Sequence, residues 1–155
     1  MFQLFAAMEL RFEVKTFDEL TKEELYDLLQ LRSEVFVVEQ NCPYQDLDGK
    51  DTIAFHVLGT LDGKIMAYTR LFAPGKYYKE TSIGRVVTSP SIRMEGAGKS
   101  IMAFSLEKAK ALFKANIRIM AQCYLTKFYE DFGFVQEGQE FLEDGIPHIE
   151  MILKG

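Results

Sequence analysis

The chain has 155 residues, of which 48% are hydrophobic and 26% charged, and carries a formal net charge of −5. That length suits one domain that buries about 70% of its unfolded surface, and the composition excludes the disordered and fibrous classes. The acidic excess argues against a general nucleic-acid binder, which needs clustered lysine and arginine to displace counterions from phosphates, and accommodates a cationic partner more easily.

Only Cys42 and Cys123 occur, far apart and outside any metal-ligand spacing, so neither a disulfide framework nor a metal site is expected and a reducing compartment is the default. The opening MFQLFAAMEL lacks a basic n-region, and no apolar run approaches membrane-spanning length. A cytoplasmic protein without a membrane partner is the expectation. Residues 1–8 precede a second methionine, Met8, and suggest no chemistry.

Leu10, Phe12 and Val14 alternate with Arg11, Glu13 and Lys15, the period of a half-buried first strand. Thr21 followed by Glu24 is a capping box, and Leu25, Leu28, Leu29, Val35 and Phe36 mark the apolar stripe of a helix over 21–36. Glu39, Asp46, Asp48 and Asp51 then fall among Asn41, Pro43 and Gly49, which predicts an acidic, structured loop. The segments 53–60 and 65–72 flank Leu61-Asp62-Gly63-Lys64, whose Asp-Gly signals a hairpin, and a strand over 83–88 continues the meander.

Pro90 stops that strand. Gly96-Ala97-Gly98 opens a helix whose apolar residues Met102, Leu106, Ala109 and Phe113 share one face. A helix start after a glycine-bearing loop leaves backbone N–H groups unpaired at the positive end of the helix dipole, so it suits an anion, and Arg93 and Lys99 add positive charge beside it. The loop is neither a Walker loop nor a dinucleotide fingerprint. Beyond it, 117–121 reads as an interior strand and 125–132 as a short helix ended by Gly133. A last hairpin from Phe134 turns at Glu143-Asp144-Gly145 and returns over 148–153. The order is a mixed α/β arrangement, a mostly antiparallel sheet of about seven strands flanked by about four helices, in a single domain spanning residues 1–155.

Arg93-Met94-Glu95-Gly96-Ala97-Gly98 resembles the [QR]-x-x-G-x-[GA] signature of the GNAT acyl-CoA transferase superfamily. The strand and proline at Val86-Val87-Thr88-Ser89-Pro90 and the segment Phe128-Tyr129-Glu130-Asp131-Phe132-Gly133-Phe134 extend the likeness in the same order. Val35 through Asp46, which contains Phe36, Glu39, Gln40 and Cys42-Pro43, and Glu143-Asp144-Gly145-Ile146-Pro147-His148 are similar to the ElaA-like branch.

The resemblance implies an acyl-CoA-dependent N-acyltransferase that transfers acetyl, or another short acyl group, to a primary amine by direct attack. The acceptor that the resemblance leaves open is a small metabolite, a polyamine or a protein amino group. It further implies that the strands over 83–88 and 117–121 splay apart around the pantetheine arm. The pyrophosphate would sit on Arg93, Met94, Glu95, Gly96, Ala97, Gly98, Lys99 and Ser100, with Val86, Val87 and Thr88 along the arm.

Such a transfer needs a neutral nucleophile, a polarised carbonyl and a proton for the leaving thiolate. Tyr129 is the candidate acid by its motif position, and a backbone N–H near Val87 or Thr88 is the candidate for polarising the carbonyl. The base is open among Glu39, Asp46, Asp48 and His148, of which the histidine is the type that titrates near neutrality. Glu39, Asp46 and Asp48 are also the candidate acceptor-binding groups. Gln122, Cys123 and Tyr124 follow the fifth strand, where many relatives carry an asparagine, and they are candidates for the acyl pocket. Two other readings stay open, a CoA-binding regulatory module without turnover and an acyl-homoserine-lactone-synthase-like transfer; a homodimer is likewise open.

Overall fold

The computed structural model describes residues 9–155, apart from the side chain of Met94; the segment 1–8 lies outside the described residues. Seven strands form one sheet in the order β1-β2-β3-β4-β5-β7-β6. They are β1 Arg11–Thr16, β2 Phe55–Leu61, β3 Lys64–Phe72, β4 Thr81–Thr88, β5 Ile117–Gln122, β6 Val135–Glu143 and β7 Ile146–Leu153. Every neighbouring pair is antiparallel except β4 and β5. The two hairpins turn through Asp62-Gly63 and Asp144-Gly145, all four residues having positive φ, as a two-residue turn matched to strand twist requires.

Helix α1, Lys22–Arg32, starts on the expected capping box: the Glu24 N–H donates to Thr21 Oγ1 at 3.0 Å and the Thr21 N–H donates to Glu24 Oε1 at 2.9 Å. It runs three residues beyond the expected end as a π-helical segment, Ser33–Glu39. Helix α2, Ala97–Phe113, covers the other face of the sheet, and the short α3, Thr126–Glu130, packs beside it. The expected loop after Pro90 is instead a 3₁₀ turn, Pro90–Glu95, because the fixed φ of proline suits a first helical position and Ser89 Oγ accepts from the Ser91 N–H.

The sheet separates two main apolar cores. Met102, Leu106 and Ala109 of α2 pack with Ile83, Ile117, Ile119, Ala121, Ile149 and Met151. Leu28, Leu31 and Val35 pack on the opposite face with Leu58, Ile65, Tyr68 and Val87. At ~25 cal/mol per Å² of apolar area, each fully buried leucine or isoleucine contributes about 1.5–3 kcal/mol, so the two faces together dominate the stability.

Beside the α1 core lies a buried network of charges. Arg32, at the last turn of α1, is fully enclosed and donates from Nε to Asp46 Oδ2 at 2.9 Å and from Nη1 to Asp51 Oδ1 at 2.8 Å. Arg70 of β3 donates to Asp48 and Asp51, and Arg85 of β4 donates from Nε to Asp46 Oδ1 at 2.8 Å. Burial opposes the charged forms of Asp48 and Asp51, but the guanidinium hydrogen bonds outweigh it and hold both carboxyls below the usual range. His56, also enclosed, donates from Nε2 to the Asp51 carbonyl at 2.8 Å and accepts at Nδ1 from the Tyr68 hydroxyl at 2.6 Å.

Replacing Arg32 by leucine leaves Asp46 and Asp51 short of a buried partner, and breaking a buried pair from one side costs about 3–5 kcal/mol. Urea unfolding of Arg32→Leu against the wild type reads that loss directly.

Burial, helped by the positive Arg32 and Arg70, pushes the His56 imidazole below its ordinary value against the pull of Asp51. The unfolded chain therefore binds this proton more readily, so the stability is complete above the ordinary imidazole value of about 6.5 and falls as the pH drops below it. Thermal scans of the wild type should show Tm declining below that pH, and His56→Gln should flatten the decline.

Candidate active site

Only two residue pairs join β4 to β5, Thr81↔Ile117 and Ser82↔Arg118. Beyond them the strands part, and the splay expected for these segments is present. β5 continues against β7 on its other edge as far as Gln122↔His148, so the gap widens toward the carboxyl ends of β4 and β5. On the β3 side, the Ser89 N–H donates to the Met66 carbonyl at 2.7 Å and Val87 pairs with Tyr68. Antiparallel alternation then turns the N–H and C=O of Thr88 away from β3 and into the gap. Of the two positions expected for the polarising amide, Thr88 has that orientation and Val87 is committed to the sheet. Val86 packs toward the α2 core.

The chain leaves β4 through the 3₁₀ turn and enters α2 at Gly96, whose φ of 77° is left-handed and needs glycine. A Cβ at Gly96 would point into open space, so the backbone here is bare to an approaching group. The first intrahelical bond runs from the Ser100 N–H to the Gly96 carbonyl at 3.1 Å, which leaves the N–H groups of Ala97, Gly98 and Lys99 without an acceptor inside α2. Three donors at a helix start, a bare glycine and the exposed Lys99 fit a pyrophosphate. Arg93 and Glu95 are exposed at the end of the turn, and Met94 lies within it. A cavity of about 300 Å³ opens beside this loop, lined by Arg11, Phe12, Glu95, Ala97 and Ser100.

A Cβ added at Gly98 would lie 3.9 Å from the ring of Phe128, so α3 packs close to the start of α2. Tyr129 follows, 6% exposed, its ring edge-on to Phe128 and Phe134 and its body in the α2 core. Its hydroxyl has no hydrogen-bond partner among the described residues. Burial, with a smaller contribution from Tyr124, raises the phenol above its ordinary value, so it holds its proton throughout the neutral range.

His148 lies at the wide end of the gap, on β7 opposite Gln122, 8% exposed and stacked on Phe141. Its Nδ1–H donates to the Ile146 carbonyl at 2.7 Å, which assigns the tautomer and leaves Nε2 with a free lone pair. Ile149 and Met151 point into the α2 core, so His148 projects from the opposite face of the sheet, the face on which α1 packs. Tyr129 and His148 therefore lie on opposite sides of the splayed strands.

The acidic loop is the clearest departure from expectation. Asp46 and Asp48 are paired with Arg32, Arg85 and Arg70, and Asp46 is 4% exposed, so neither carboxylate is free to bind a cationic acceptor or take a proton. They are corrected from candidate acceptor ligands to structural partners of arginine. Glu39 forms an ion pair with Arg93, which joins the end of the π segment to the phosphate loop. The Gln122 amide reaches toward Gln40 Oε1 at 3.5 Å across the wide end of the gap. Partial burial, with Glu140 nearby, raises the Cys123 thiol, which argues against a nucleophilic role for it. The charge partners of the loop were missed because Arg32, Arg70 and Arg85 are distant in sequence; the available signal was an arginine set inside each of three apolar segments.

A seven-stranded sheet that splays between β4 and β5 beside a glycine-bearing helix start is the architecture of the acyl-CoA N-acyltransferase fold. The family model described as "Acetyltransferase (GNAT) domain" matches residues 16–154, and the chain belongs to that superfamily, in its ElaA-like branch. Protein ElaA of Escherichia coli is 42% identical over 136 residues, covering 86% of this chain and 89% of that protein. A UPF0039 protein of Synechocystis is 42% identical over 149 residues, covering 95% and 97%. Among solved structures, an acyl-CoA N-acyltransferase from Pseudomonas aeruginosa superposes with a TM-score of 0.89 at 41% identity, covering 93% of this chain and 99% of that one. The E. coli ElaA structure gives 0.87 at 38%, with the same coverage. The chain is an acyltransferase, and its fold implies an acyl-CoA donor. Among the described residues no helix is long and apolar enough to cross a membrane.

Gly96→Tyr should abolish acyl-CoA binding in a calorimetric titration, since a bulky side chain there blocks phosphate approach and is strained at positive φ. Unchanged affinity would remove the loop from the donor site.

Proposed function

We propose that this protein is a single N-acetyltransferase domain that transfers acetyl, or another short acyl group, from acyl-CoA to a primary amine by direct attack. The observation that carries this reading is the disposition of Tyr129 and His148 on opposite faces of one open gap. A thioester lying in such a gap exposes its carbonyl to an amine arriving on one face and its sulfur to a proton donor on the other.

The donor supplies the activated acyl group; the remaining work falls to the chain. The N–H groups of Ala97, Gly98 and Lys99, which have no acceptor inside α2, hold the pyrophosphate, and Lys99 balances its charge. The Thr88 N–H hydrogen-bonds the thioester carbonyl and stabilises the charge that grows on its oxygen as the nitrogen approaches. His148 Nε2 takes the proton that the amine must lose, and the imidazole orientation is fixed by the Ile146 carbonyl. The Tyr129 hydroxyl gives its proton to the departing sulfur. Its raised pKa keeps that proton available but makes the transfer harder, so close contact with the sulfur is required.

A free-thiol assay across small amines, polyamines and peptide N-termini tests the reading. Tyr129→Phe should lower kcat by about 10²-fold or more with KM for acyl-CoA nearly unchanged, and His148→Gln should lower kcat/KM by a similar factor. Tight acyl-CoA binding with no thiol release for any amine would overturn the reading in favour of a module that binds CoA without turnover.

A further inference from the structure

β4 contains an irregularity three residues before Thr88. Tyr68 of β3 pairs with Val87 but Arg70 pairs with Gly84, so Arg85 and Val86 together stand opposite Thr69. Such a bulge bends its strand, raises the local twist and re-aims the residues that follow. Arg85 itself has a φ of 50°. A residue with a Cβ adopts the left-handed region at a cost, and it stays there only where its surroundings hold it. Glycine would take the same angle without strain, so the arginine side chain must serve some purpose that glycine cannot.

That purpose is visible in its contacts. Arg85 Nε donates to Asp46 Oδ1 at 2.8 Å and Nη2 donates to the Asp46 carbonyl at 3.1 Å, while the guanidinium lies 5.7 Å from the centre of the Tyr44 ring. Asp46 is anchored in turn by Arg32 Nε at 2.9 Å and Nη2 at 3.2 Å, and by the Tyr44 hydroxyl at 3.0 Å. The bulge is thus clamped to the end of α1 through two planar, forked contacts that lysine could not reproduce. Val86 and Val87 are held in the apolar cores on opposite faces of the sheet, so the bulge is the joint at which the heading of Thr88 is set.

We propose that Arg85, clamped by Asp46, is a positioning residue for acyl transfer: it fixes the bulge so that the Thr88 N–H meets the thioester carbonyl. The inference rests on the proposed acyl-CoA chemistry. It gives the Asp46–Arg85 pair a role distinct from stability, because the clamp acts on a backbone donor that neither side chain touches.

Arg85→Gly separates the two roles, since it removes the clamp while relieving the strained φ, and Arg85→Lys keeps the charge but loses the fork. Both are assayed well below their own melting temperatures after circular dichroism has established folding. Acetyl-CoA carrying a ¹³C thioester carbonyl, bound without any amine, is read by infrared difference spectroscopy. In the wild type the carbonyl stretch should fall below that of free acetyl-CoA, and in both variants it should return toward the free value. In parallel, kcat with the best amine should drop by about 10–100-fold, while Kd for acetyl-CoA and KM for the amine stay within about threefold.

A folded Arg85→Gly with wild-type kcat and carbonyl frequency would overturn the proposal, as would a loss of activity explained wholly by weaker acetyl-CoA binding. Failure of the wild type to bind acetyl-CoA would instead overturn the donor-site reading on which the proposal depends.

Discussion

The structure depends on the charges that Arg32, Arg70 and Arg85 share with Asp46, Asp48 and Asp51. The arginines come from α1, β3 and β4, and the aspartates from the single irregular stretch between α1 and β2. That stretch has little apolar surface to bury, so hydrogen bonds to guanidinium groups are what order it. Desolvating so many charges is costly, and a hydrophobic replacement of the whole set would be no less stable on general grounds. What the charges supply is directional: each fork accepts one carboxylate in one plane, so α1 and two strands are fixed relative to each other in a way that packing of leucines alone does not enforce.

That fixed frame is what permits the sheet to be incomplete. β4 and β5 pair for two residues and then diverge, which leaves a row of backbone donors and acceptors without partners on the β4 edge. In an ordinary sheet such an edge invites aggregation or closure. Here the edge lies between cores on both faces, and the 3₁₀ turn leads from its end into the first turn of α2. The opening is therefore part of the architecture, and its unpaired backbone groups are available for an extended ligand arm, by the same pairing that a missing strand would make.

The side chains around the opening divide the labour by face. Tyr129 is carried by α3, which Gly98 and Phe128 bring against the start of α2, so the proposed acid and the helix-start N–H groups share one side. His148 is carried by β7 on the other side, with its tautomer set by a backbone carbonyl two residues away. The ion pair between Glu39 and Arg93 ties the end of the π-helical segment to the 3₁₀ turn that precedes α2. In the proposed reaction, backbone groups handle the phosphates and the carbonyl and side chains handle the protons; only the second task needs titratable groups.

Local sequence was enough to determine the elements. Period-two alternation at Phe12 and Val14, the Thr21–Glu24 capping box, the Asp62-Gly63 turn and the apolar face of α2 each encode a structure through neighbours a few residues apart. The six-residue signature ending at Gly98 was legible for the same reason, because a phosphate cradle at a helix start is a local backbone arrangement. What only the tertiary structure decided was where charge goes and which way a strand faces. Asp46 and Asp48 read as candidate acceptor-binding carboxylates of an acidic loop, and the tertiary structure brings Arg32, Arg70 and Arg85 to them from other elements. The bulge at Arg85 and the heading of Thr88 follow from pairing with β3, and the opposition of Tyr129 and His148 follows from the alternation along β7 and the face on which α3 packs. Buried ion pairs and strand register are long-range contacts, whose partners a local pattern of residue types does not specify.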